Sequence, residues 1–201
     1  MPPTPRPHPS AEPGTRRARA LDAGIAALVL LVEIAATYGS LTGPPLDPVD
    51  GWTLARPTDA VAFAAVAVGC AALYWRRTRP VPALVVATAA YALFLLRDYE
   101  LGLFLAPMVA LYSVAALGRS GPAALASGSV AVAASLLWVR ARTEALTDPG
   151  TALLAWVAFG TVIVVFLAGS FVAGELVRCH RLLSPRANTR TGAPTAPRPA
   201  R

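Results

Sequence analysis

The chain has 201 residues, 55% of them hydrophobic and only 14% charged, with a mean hydropathy of +0.54. Its apolar residues fall in blocks rather than at helix or strand spacing, which argues against a soluble domain with an amphipathic core. All 18 basic residues are arginine, and they flank the apolar blocks without forming a groove or stripe, so nucleic acid is not expected as a partner.

Residues 1–20 carry Pro2, Pro3, Pro5, Pro7, Pro9 and Pro13 among polar neighbours and close on Arg16, Arg17 and Arg19. With no apolar surface to bury, they are expected to form a disordered cytoplasmic tail. The first apolar span, 21–41, follows directly. Basic-then-apolar is also the order of a signal peptide, but the run extends through Tyr38 and further spans follow, so a retained span is expected. A turn-rich loop with Gly43, Pro44, Pro45, Pro48 and Gly51 leads to a second span, 58–75. Asp59 suits its N-terminus, where a carboxylate meets unpaired backbone N–H groups.

The stretch Trp75-Arg76-Arg77-Thr78-Arg79-Pro80-Val81-Pro82 organises the chain, because three arginines sit in a short turn between two apolar runs. Each run is roughly 18 residues, close to the ~20 that a helix needs to cross about 30 Å of hydrocarbon. This predicts a helical hairpin whose turn is held in the cytoplasm by Arg76, Arg77 and Arg79. The third span, 80–97, opens on Pro80 and Pro82, both tolerable in a first turn. After the polar turn Arg97-Asp98-Tyr99-Glu100 comes a fourth span, 101–118, where Pro107 is expected to kink the helix and free a carbonyl. The fifth span is 123–139 and the sixth, the longest, 151–177. Pro185 is expected to stop the last helix, leaving 184–201 as a second disordered tail.

Alternating sides places Arg56, Arg97, Arg140 and Arg142 outside and leaves fourteen of the 18 arginines inside. The fold expected is therefore all-α: a polytopic bundle of about six transmembrane helices (21–183) in the plasma membrane, both termini cytoplasmic. Its first partner is then the lipid bilayer.

Little in the chain carries chemistry. No P-loop, nucleotide glycine motif, zinc-protease motif or nucleophile elbow is present, so no enzyme and no cofactor are expected. Cys70 and Cys179 are far apart, and His8 and His180 lie outside the spans, so no metal site is expected. Glu33 stands out, just beyond the midpoint of the first span, where a carboxyl group must face protein or water. Tyr91, Ser135 and Thr161 fall at similar depth on other helices as candidate hydrogen-bond partners. Glu33 then either senses a proton or ligand inside the bundle or staples two helices together. Glu175 beside Arg178 reads as a local surface pair. In the sixth span, Gly169/Ala173 and Ser170/Gly174 have the small-xxx-small spacing that lets helix backbones approach closely.

Three stretches resemble the N-terminal membrane domain of sensor histidine kinases from high-GC Gram-positive bacteria. They are the Arg76–Ala83 stretch, the Ala106–Ala115 stretch with its Ala-Pro-Met-Val-Ala-Leu-Tyr-Ser-Val-Ala run, and Gly174-Glu175-Leu176-Val177-Arg178. The resemblance implies a sensory input module that works as a homodimer or beside a separate kinase or membrane partner. In such kinases the last span continues into a dimerising helix with a phosphoacceptor histidine and then an ATP-binding domain. Here Pro185 and the tail stand at that place, and His180 lacks the acidic neighbour of a phosphoacceptor. The implied function is thus signal sensing without a catalytic output. A small transporter or channel, with Glu33 and Pro107 marking a pathway, is the alternative from another class, and a structural assembly subunit is a third.

Overall fold

Hydrocarbon offers a backbone no water to bond, so long apolar runs close their hydrogen bonds internally as helices. The computed structural model describes residues 13–43, 55–100, 103–118 and 121–191, and within them the chain is all-helical. The helices are α1 (Pro13–Thr42), α2 (Ala60–Ala72, tightening into a 3-10 turn at Leu73–Trp75), α3 (Pro80–Leu96), α4 (Leu105–Leu117), α5 (Gly121–Thr143) and α6 (Pro149–Thr191).

Three of them are long and apolar enough to cross a membrane: Arg17–Thr42, Gly121–Thr143 and Pro149–Leu183. The other three are shorter: α3 matches the expected span within a residue, while α2 and α4 fall short of theirs. With 13, 17 and 13 residues, α2, α3 and α4 are about 20, 26 and 20 Å long.

The differences have local causes. Asp59 caps α2 as expected, its Oδ1 accepting the N–H groups of Val61 (2.8 Å) and Ala62 (3.1 Å), and this fixes the start at Ala60. Helix α4 begins at Leu105, four residues later than predicted, and ends on Gly118 in the left-handed region (φ 62). Pro107 therefore lies in the first turn, where its missing N–H has no helical partner to lose, and the expected mid-helix kink does not arise.

At the termini, α1 is already helical from Pro13, and α6 runs through Pro185 to Thr191 rather than stopping there. Proline removes one bond from a helix whose nucleation is long past, so propagation continues. The expected disorder of residues 1–12 and 192–201, and the placement of Arg119 and Trp52, lie outside the described residues.

Helix α3 is central, packed on α2, α4 and α5; α6 lies against α4 and α5, and α1 covers α2. Leu84, Tyr91 and Phe94 of α3, with Val66, Leu103, Val114 and Val139, form the buried core. The outward faces of α1 and α6 are apolar as well, with Leu28, Leu31, Leu153, Leu154, Val165 and Leu176 all well over half exposed. Such a surface suits lipid and would be a liability in water.

Candidate functional site

Glu33 is buried in the bundle (1% exposed), and its partner is backbone. Its Oε1 accepts the N–H of Phe104 at 2.9 Å and of Leu105 at 2.5 Å. These are N-terminal groups of α4 that no residue of α4 itself caps. A side chain of α1 thus does for α4 what an N-cap residue usually does from within the same helix. The carboxylate also meets the positive end of the α4 dipole. Its other oxygen, Oε2, is buried with no hydrogen-bond partner among the described residues.

The expected partners behave differently. Tyr91 and Ser135 do come together, their hydroxyls 2.7 Å apart, but they bond each other and Ser135 donates back to Ala131 O. Thr161 is exposed on α6 and faces away from the core. Matching depth along separate helices predicted neighbours, whereas helix rotation decides which of them meet.

A second cluster holds the opposite end of α1. Asp22 is 4% exposed, and its Oδ1 accepts Arg76 Nε (3.1 Å), Arg76 Nη2 (2.9 Å) and Arg77 Nε (2.8 Å). Arg76 is itself buried, while the Arg77 side chain is half exposed. Sequence reasoning missed Asp22, because it is the second residue of a run whose mid-span Glu33 draws the attention. The signal that finds it is charge: an acid at the same end of the bundle as a triple-arginine turn. Asp22 and Glu33 are eleven residues apart on α1, or roughly 16 Å.

The far end of the bundle is closed by a third network, built around Asp98 and Tyr99. Tyr99 is fully buried and donates its hydroxyl to Asp59 Oδ1 at 2.5 Å, while its carbonyl accepts Trp138 Nε1 at 3.0 Å. Burial, and then the hydrogen bond to Asp59, raise the Tyr99 phenol above its ordinary pKa. The buried Arg142 bonds the Asp98 carbonyl (2.9 Å) and carboxylate (3.1 Å) and stacks over Trp138. Asp98 adopts φ 63, a turn conformation that aspartate tolerates better than most residues. These contacts tie the start of α2 and the end of α3 to the end of α5.

The small-residue seam of α6 divides. Gly174 faces α4 so closely that a Cβ there would lie 2.6 Å from Ala115 Cβ and 2.6 Å from Tyr112 O, whereas Gly169 has open space around it. Ala173 and Gly169 are exposed, Ser170 is half-buried, and Ser170 donates to Phe166 O of its own helix. Part of the seam therefore packs within the bundle and part faces outward. Gly174→Leu should separate α4 from α6 and lower the unfolding midpoint in detergent. By the usual size of overpacking effects the loss is about 1–3 kcal/mol. Gly169→Leu should leave the midpoint unchanged, and equal losses for the two would refute the assignment. The predicted local pair also forms, Arg178 Nη1 standing 3.1 Å from Glu175 Oε2.

Among the described residues no cluster of three or more histidine, cysteine or acidic side chains could hold a metal ion. The chain matches a family described as a domain of unknown function, DUF7134, over residues 13–181. No curated protein and no solved structure matches it.

Proposed function

We propose that this chain, which belongs to the DUF7134 family, is a six-span membrane input module with both termini in the cytoplasm. It senses a change within or across the bilayer and passes it through α6 to a second copy or to a separate kinase or membrane partner. The chain itself carries out no catalytic step.

The observation that carries this reading is the path from Glu33 to the end of α6. Glu33 of α1 holds the N-terminus of α4, and α4 packs more extensively on α6 than on any other helix. Helix α6 has 43 residues, roughly 64 Å and about twice the hydrocarbon thickness. Its end therefore projects beyond the bundle as a lever. The fourteen-to-four arginine split supports this orientation, which puts the Asp22–Arg76–Arg77 cluster at the cytoplasmic end. In this arrangement α4, with 13 residues, is a partial span. Short spans of this kind are accommodated by local thinning of the bilayer.

The test has two arms. Reporter fusions after residues 78, 119 and 190 should read cytoplasmic and those near 50 and 145 external; an external reading at 78 ends the topology. For the input role, the chain through residue 183 is joined to the dimerising and catalytic core of a histidine kinase, with zero to four alanines at the junction. A lever helix predicts autophosphorylation that rises and falls with the helical period of 3.6 residues. Output that is flat across the series and equal to that of the core alone would count against the reading.

A further inference from the structure

The three arginines of the α2–α3 turn do not share one role. Asp22 satisfies Arg76 and Arg77, but Arg79 is exposed and has no ion pair or side-chain hydrogen bond among the described residues. Arg79 stands at the mouth of a groove of about 350 Å3 between α2 and α3. The walls are apolar, formed by Val68, Ala71, Ala83 and Val86, and Trp75, half exposed, lies beside Arg79 at the same end.

We infer that this groove seats one anionic phospholipid of the cytoplasmic leaflet, its phosphate on Arg79 and one acyl chain along the α2–α3 walls. The charge pattern selects this occupant. A purely apolar ligand leaves Arg79 unanswered, whereas a guanidinium binds a phosphate through two parallel N–H···O bonds. Tryptophan is favoured where apolar tails give way to headgroups, and Trp75 marks that level. Nor is the site a general result of positive charge in the turn. Arg76 and Arg77, one and two residues from Trp75, are already engaged by a buried acid of the same chain. The inference rests on the cytoplasmic placement of the turn, but its test reads lipid retention alone and needs neither signalling nor a topology assay. A chain can fail the junction series and pass this test, or the reverse.

The full chain, purified and delipidated in detergent, is mixed with equal amounts of phosphatidylglycerol and phosphatidylcholine of identical acyl chains. Bound lipid is then counted by native mass spectrometry. One arginine contact near an anionic headgroup predicts about a fivefold preference for phosphatidylglycerol. Arg79→Gln should bring the two lipids to parity, Arg79→Lys should keep most of the preference, and Arg77→Gln should keep all of it. Val86→Trp, which fills the groove, should reduce retention of both lipids. The Arg79 variants lie on the surface and preserve the test even if Val86→Trp does not fold. Parity in the wild-type chain, or an unchanged preference in Arg79→Gln, overturns the proposal.

Discussion

Asp22→Leu should destabilise the bundle by about 3–5 kcal/mol, the usual consequence of removing one partner from a buried ion pair. The effect is large because Asp22 is the single acid against two arginines, with all three bonds converging on its Oδ1. Arg76 is buried together with it and is left with an uncompensated charge, whereas Arg77 has half its side chain in solvent and can turn outward. Arg77→Gln should accordingly cost under about 1 kcal/mol, as exposed pairs do. The double variant Asp22→Leu/Arg76→Leu should recover most of the loss, since two apolar side chains replace two charges. The measurement is the denaturation midpoint in mixed micelles for the four chains. Should Asp22→Leu melt within about 1 kcal/mol of wild type, the cluster is a surface feature and does not anchor α1 to the hairpin turn.

The helical class and the positions of the hairpin turn were legible because they depend on uninterrupted apolar runs and on arginine placement, both properties of the chain taken locally. The cap on α2 was legible for the same reason: Asp59 bonds N–H groups two and three residues away. What escaped is long-range and rotational. Nothing local to Pro107 says that α4 starts only at Leu105, because the acceptor that terminates the helix there comes from Glu33, more than seventy residues earlier. Tyr91 and Ser135 found each other while Thr161 faced outward, a difference of helix rotation that depth alone does not encode. Asp22 was hidden by its place at the edge of the first span, where an acid reads as part of the polar flank. Gly174 and Gly169 carry the same small-residue signature, and only the position of α4 separates them.

Glu33→Leu should cost about 2–4 kcal/mol, more than the ~0.6 typical of a single side-chain hydrogen bond between transmembrane helices. The difference lies in what is left behind. An interhelical bond between two side chains can be exchanged for another partner, but the N–H groups of Phe104 and Leu105 are fixed in the backbone of α4. Pro107 contributes no donor, and no side chain of α4 caps its first turn. With leucine at 33, those two donors face an apolar interior with no water to replace the carboxylate. Glu33→Gln should stay within about 1 kcal/mol of wild type, because its amide oxygen can stand where Oε1 stands and accept both bonds. Its NH2 group then occupies the place of Oε2, which has no hydrogen-bond partner to lose among the described residues. Hydrogen exchange at Phe104 and Leu105 offers a local readout: fast exchange in Glu33→Leu and protection in Glu33→Gln. Protection retained in Glu33→Leu would mean that another acceptor caps α4. The pair also separates the staple from the sensor. A staple needs only an acceptor, so glutamine should support normal output in the kinase fusion. A sensor that uses the carboxyl proton or its charge should lose its response in Glu33→Gln while the melting midpoint stays where it was.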